Sequence, residues 1–137
     1  MRRHKIQPSD FTPPIGAYSH GLAVDLGHAT MIFVTGQIAV DANGMVVAPN
    51  DAAAQTEFIF KNIQTILIAG GSSLDDVVKT QIFVTNIADF SEISPIRNRY
   101  FAKNEPVSTL VEVRNLVREG CVVEIEVIAI TQSSKEE

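Results

Sequence analysis

Cysteine occurs once in the 137 residues, at Cys121, so no disulfide can close within the chain and no multi-cysteine zinc or iron–sulfur site can form. A reducing compartment is compatible with that count but not required by it. Basic residues are outnumbered: 11 Lys and Arg against 16 Asp and Glu leave a net charge of −5. Nucleic-acid affinity rests on clustered Lys and Arg, so this balance argues against such a partner. The one basic cluster, Arg2-Arg3-His4-Lys5, stands at the N-terminus, and residues 1–8 are expected as a flexible, solvated arm. No apolar run approaches the ~18 residues that begin to span a bilayer. No apolar h-region follows the basic start either, where Gln7-Pro8-Ser9-Asp10 stands instead. A soluble, cytoplasmic protein without a membrane partner is expected. The three histidines, His4, His20 and His28, lack metal-ligand spacing, so no metal site is expected.

What is present is a moderately apolar chain, 45% hydrophobic and 20% charged, long enough for one core without metal or disulfide staples. A single domain over residues 1–137 is expected, with no internal repeat or linker. Pro8 to Gly21 is rich in Pro, Gly, Ser and Thr and reads as an ordered loop. Strands are expected at Leu22–Leu26 and Met31–Ala39, joined by a turn at Gly27-His28-Ala29. Asn50 or Asp51 caps a helix to about Ala69, whose buried stripe is Ile59, Ile63, Ile66, Leu67 and Gly70, and Gly70-Gly71 ends it. A strand over Asp76–Thr85 puts Val78, Ile82 and Val84 on one face. Pro95 divides the next helical stretch, giving a turn at Asp89–Ile93 and then a helix capped by Ser94. Strands at Val107–Arg114 and Cys121–Ile130 complete an α+β order with two helices on one sheet face.

That arrangement leaves one face uncovered. In the last strand Val123, Ile125, Val127 and Ala129 point one way, and Val122, Glu124, Glu126, Ile128 and Ile130 the other. Both sets are apolar enough to need cover, and two helices can cover only one. A homo-oligomer is the economical solution.

Few residues carry chemistry. Glu124 stands among Val and Ile, where a carboxylate is costly unless paired or protonated. It reads either as an acid or water-holding base, or as a rim carboxylate. Tyr18-Ser19-His20-Gly21 offers hydrogen-bonding and proton-transfer groups in a polar loop, or simply a tyrosine packed on its own subunit. Gly70-Gly71-Ser72-Ser73 lacks the Gly-Lys-Thr/Ser ending of a phosphate loop and follows a helix, not a strand. Cys121 has no activating cation nearby in sequence and reads as packing.

Several segments, in order, resemble the RidA/YjgF family, also known as L-PSP or enamine/imine deaminases. They are Ile15-Gly16-Ala17-Tyr18-Ser19-His20-Gly21, Phe33-Val34-Thr35-Gly36-Gln37-Ile38, Ala69-Gly70-Gly71, Val77-Val78-Lys79-Thr80-Gln81-Ile82-Phe83-Val84, Val111-Glu112-Val113 and Val123-Glu124-Ile125-Glu126-Val127-Ile128-Ala129. The resemblance implies a chorismate-mutase-like fold and a homotrimer whose sheets form a central barrel. It also implies small-molecule clefts between subunits and hydrolysis of reactive imines without metal or organic cofactor. Tyr18 matches the site tyrosine, Gly36 the glycine lining the cleft, and Glu124 the carboxylate that orients water. One departure is large. In Pro106-Val107-Ser108-Thr109-Leu110, Ser108 stands where active deaminases carry Arg, and Leu110 where they carry Cys. Ser94 stands where Asn is common.

An Arg fork grips a carboxylate through two charged hydrogen bonds, which serine cannot do. The expectation is an imine or enamine deaminase of atypical substrate, with Glu124 and Tyr18 catalytic and Gly36, Ser108, His20, Thr109 and Leu110 lining the pocket. His20, ahead of Arg97 and Arg99, is the candidate replacement cation. A non-catalytic trimeric binder is the alternative, and an endoribonuclease the least favoured.

Overall fold

The computed structural model describes residues 2–133; Met1 of the expected arm and residues 134–137 of the expected single domain lie outside the described residues. The basic N-terminal segment corrects the first expectation. Arg3–Ile6 is not a free arm but a strand, β1, antiparallel to β2 (Gly21–Asp25). Its anchor is the buried Ile6, whose side chain packs over Gly70 so closely that a Cβ there would lie 2.6 Å from Ile6 Cδ1. One apolar side chain in four residues is too little pattern to announce a strand.

β2 turns through Gly27 into β3 (Ala29–Ile38). Gly27 takes φ +95° and donates its N–H to Asp25 Oδ1 at 2.8 Å, a conformation glycine adopts without steric cost. The first helix, α1 (Ala52–Ala69), follows its expected bounds. Asp51 caps it by accepting the Ala54 N–H at 3.0 Å. Ile59, Ile63, Ile66 and Leu67 are fully buried along one stripe. At the far end Gly71 adopts φ +83°, and Ser72 N–H reaches Leu67 O at 2.8 Å while Gly71 N–H reaches Ile68 O at 3.0 Å. This is a Schellman closure, the reason the helix stops at the glycine pair.

A 3₁₀ turn, Leu74–Asp76, leads into β4 (Val77–Val84). Here the expected face of Val78 is wrong. Between the Val77–Ala129 and Lys79–Ile128 pairs the register gains one residue, a β-bulge that turns Val78 outward. Val77 is therefore buried and Val78 exposed. The second helix also differs from expectation. α2 (Phe90–Phe101) runs unbroken with Pro95 inside it, rather than restarting at Ser94. Proline in a helix interior costs about 3 kcal/mol. Burial of Ile93, Ile96 and Phe101, and the stack of Phe60 on Tyr100 at 4.8 Å, hold the helix together in spite of it.

β5 (Val107–Glu112) and β6 (Val123–Gln132) complete a six-stranded sheet in the order β1-β2-β3-β6-β4-β5. Only β4 and β5 run parallel, with α2 as their crossover. Both helices lie on one face, as expected, against Val123, Ile125, Val127 and Ala129 of β6. The opposite face carries Phe33, Phe83, Val111, Ile128 and Ile130, with Phe33, Val111 and Ile130 each about two-fifths exposed. No described element of the chain covers it. No helix among the described residues is long and apolar enough to cross a membrane.

Candidate functional site

The site begins with a fault in the sheet. β3 and β6 pair evenly to Val34–Val127 and resume at Gln37–Ile125, so Thr35 and Gly36 together face Glu126. This second bulge is stapled on three sides. Gln37, buried, donates its side-chain amide to Thr35 O at 2.9 Å. Thr35 N–H bonds His20 O at 2.9 Å, and the Thr35 hydroxyl donates to Ser19 O. The loop bearing Tyr18 and His20 is thereby tied to the bulge.

Tyr18, His20, Thr35 and Gly36 line one wall of an open cleft of about 420 Å³, with Phe58 and Asn62 of α1 on another. The Tyr18 side chain is half exposed. His20 is less available than the sequence suggests. Its Nε2 donates to Thr12 O at 2.7 Å, and its ring meets Phe11 edge-on at 5.3 Å. Asp10 and Asp41 also line this cleft, and no Lys or Arg does.

Glu124 meets the same bulge from the open face of the sheet. Its carboxylate lies where a side chain on Gly36 would be: a Cβ there would overlap Glu124 Oε2 and sit 2.9 Å from Cδ. The requirement for glycine is thus one of space. Burial pushes the Glu124 carboxyl above its ordinary value of 4.5, and the neighbouring charge of Glu126 adds to the rise. Among the described residues nothing donates a hydrogen bond to it. A partly desolvated carboxylate with unused lone pairs can hold and deprotonate water.

Ser108, Thr109 and Leu110 lie elsewhere. They pair with Thr80, Gln81 and Ile82 of β4 at the sheet edge. Two strands, β6 and β4, separate β5 from β3, a distance of about 14 Å at the usual ~4.8 Å spacing. Leu110 packs against the core, and Thr109 O accepts from the Gln81 side chain at 3.2 Å. Ser108 borders a second hollow of about 580 Å³ with Arg97 and Asn98 of α2. Within one chain the candidate cations are therefore reordered. Arg97, not His20, reaches Ser108, with Nη1 donating to its hydroxyl at 3.4 Å, whereas Arg99 pairs with Glu57. The chain brings together Tyr18, His20 and Gly36 on one cleft, seats Glu124 against Gly36 from the open sheet face, outside that cleft's lining, and holds Ser108 to Leu110 apart from them.

Two polar residues of consequence escape sequence reasoning. Gln37 braces the bulge. Gln55, fully buried, donates to Val47 O, Ala48 O and Gly120 O and accepts the Val122 N–H at 2.9 Å. A glutamine in step with the buried stripe of Ala52, Ile59, Ile63 and Ile66 was the available signal for the last.

The family model described as endoribonuclease L-PSP matches residues 10–131. Among curated relatives, the 2-iminobutanoate/2-iminopropanoate deaminase of Rattus norvegicus is 34% identical over 93% of this chain and 90% of its own length. The 3-aminoacrylate deaminase RutC of Acinetobacter baylyi is 33% identical over 94% of this chain and 98% of its own. Among solved structures, the YjgF gene product of E. coli superposes with a TM-score of 0.79 at 33% identity, covering 94% of this chain and 99% of that one. The mixed sheet with two helices on one face is the chorismate-mutase-like fold of those structures.

Proposed function

This chain belongs to the RidA/YjgF family of L-PSP proteins, and from that premise we propose that it hydrolyses small reactive imines or enamines. The observation that carries the proposal is the unpartnered Glu124 carboxylate, raised in pKa and seated against Gly36 at the bulge. A water held there loses a proton to Glu124 as its oxygen bonds to the imine carbon, and Glu124 passes that proton to the nitrogen, giving a carbinolamine. The C–N bond then breaks with its electron pair on nitrogen while Glu124 carries the hydroxyl proton to that nitrogen, so ammonia leaves as the carbonyl forms. One water is consumed for each ammonia released. Tyr18, at the cleft mouth, orients the ligand. Imines hydrolyse readily unaided, so positioning and modest acid–base help suffice.

A complete site requires another copy of the chain. A homotrimer with the open sheet faces turned inward would cover Phe33, Ile128 and Ile130. It would also bring the β5 edge of one copy, with Ser108, Thr109 and Leu110, to the bulge of the next. The serine at position 108 removes the fork that would hold a substrate carboxylate there, so the substrate is atypical for the family unless a neighbouring cation takes that role.

The test is release of ammonia from a freshly generated imine, measured above the spontaneous rate. Glu124→Ala is expected to lower that excess by at least a hundredfold, in line with general-base loss. Unchanged turnover would remove Glu124 from the reaction, and a monomer in sedimentation would remove the shared site. Ser108 favours a second reading, a trimer that binds a metabolite without turning it over. Saturable binding with no excess rate on any imine would decide for that one. RNA cleavage is disfavoured by a cleft lined with Asp10 and Asp41 and by no Lys or Arg.

A further inference from the structure

The least expected group in the molecule is the guanidinium of Arg97. Half-buried on α2, it makes four hydrogen bonds, and all go to neutral oxygens. Nε and Nη2 donate to Asn98 Oδ1 at 3.2 and 3.1 Å, Nη2 to Ser94 Oγ at 3.1 Å, and Nη1 to Ser108 Oγ at 3.4 Å. Its charge also faces the Phe90 ring at 5.9 Å. Among the described residues no carboxylate lies within ion-pair distance of it, in a chain with 16 acidic side chains. Arg2 and Arg99 each have an acidic partner, while Arg3, Arg114 and Arg118 have none among the described residues. What sets Arg97 apart from these is its place: among the described residues it is the one Lys or Arg bordering either of the two hollows described above. A guanidinium fixed in direction by neutral acceptors, left without a counter-ion and set in a concave surface is preorganised for an anion from outside. The longest of its bonds, from Nη1, is the one a stronger acceptor would displace.

We infer that Arg97, braced by Ser94 and Asn98 and flanked by Ser108, is the specificity-determining residue of this chain and selects a compact, carboxylate-bearing ligand. The identity of that ligand as an imine rests on the proposed function; the anion preference does not. Glu105 borders the same hollow, is exposed, and makes no ion pair with Arg97. It repels an incoming anion and thereby weakens, without abolishing, the preference.

The experiment titrates the purified full-length protein with pyruvate and with its uncharged methyl ester, by ligand-observed NMR or calorimetry. The wild type is expected to bind the acid at least tenfold more tightly than the ester. R97Q lowers affinity for the acid ten- to a hundredfold and leaves the ester unchanged, the span expected for losing a charged hydrogen-bond partner. R97K falls between, since it keeps the charge and loses the fork. E105Q, which touches none of the Arg97 bonds, tightens the acid alone. Equal affinity for acid and ester, binding of neither, or an R97Q protein that binds the acid as well as the wild type would overturn the inference. Carboxylate binding through Arg97 without imine turnover would uphold it while rejecting the deaminase. Turnover of an uncharged imine by R97Q would leave the deaminase standing on its own.

Discussion

Gly36→Ala isolates the most sharply defined contact of the site. Gly36 is not among the residues at positive φ, so alanine meets no backbone strain there and the whole effect is one of contact. The new methyl would overlap Glu124 Oε2 and lie 2.9 Å from Cδ and 3.1 Å from Cγ. Ordinary carbon contacts fall at roughly 3.5–4.0 Å, so something has to give. The carboxylate gives first, because it is the end of a flexible side chain with no hydrogen bond to hold it. Overpacking costs about 1–3 kcal/mol where the surroundings are rigid, and the swing of Glu124 keeps the cost near 1 kcal/mol. At this chain length that is about 4 °C in Tm. Activity suffers more, since moving a reacting group by about 1 Å costs on the order of a hundredfold, close to 2.7 kcal/mol in the barrier. Thermal melts and initial rates are then compared across Gly36→Ala, Glu124→Ala and the double variant. The stability cost of Gly36→Ala is expected to vanish in the Glu124→Ala background. A cost that persists there, or a Gly36→Ala protein with full activity, would refute the steric account.

The pH dependence of stability should report the burial of Glu124. Its folded pKa is raised, so the native state holds the proton more tightly than the unfolded chain. The associated stability is present below 4.5 and is lost as pH rises through the folded value. Glu124→Gln is expected to flatten that decline in denaturant melts across pH 4 to 8, while the wild type gains activity over the window in which it loses stability; parallel curves for the two proteins would contradict it. Asp25 is held below 3.8 by the Gly27 N–H and then by Arg2, so it acts on the acid side of this window. Gln55→Leu leaves Val47 O and the Val122 N–H without a partner, while Ala48 O and Gly120 O keep backbone donors, and should cost about 2–4 kcal/mol, with loss of hydrogen-exchange protection at Val122. Retained protection there would show that the clamp is dispensable.

Much of this fold could be read from periodicity. The stripe from Ile59 to Leu67, the alternation in Val123–Ala129 and the Gly70-Gly71 stop are local signals, and each settled where its period predicted. The failures share a cause. β1 is ordered by Ile6 meeting Gly70, a contact between residues far apart in the chain. Val78 is turned outward by the register of β6, and Pro95 stays helical because Phe60 and Tyr100 hold α2 in place. The site divides in the same way. Tyr18, Gly36 and Glu124 stand out as candidates in their segments, but the bulge that gathers Gly36 and Glu124 depends on cross-strand register. Arg97 meets Ser108 only because a parallel crossover folds α2 back over β5.

The two faces of the sheet have a consequence for mixed populations. Glu124 turns to the open face and Arg97 stands on a helix of the other face, so in the trimer proposed above one pocket would draw them from two neighbouring copies. Two damaged alleles, Glu124→Ala and Arg97→Gln, would then each spoil every pocket when expressed alone. Co-expressed, they would assemble some trimers in which an undamaged half from one allele faces an undamaged half from the other. Activity in the mixture well above that of either parent would be the genetic signature of a pocket that no single polypeptide owns.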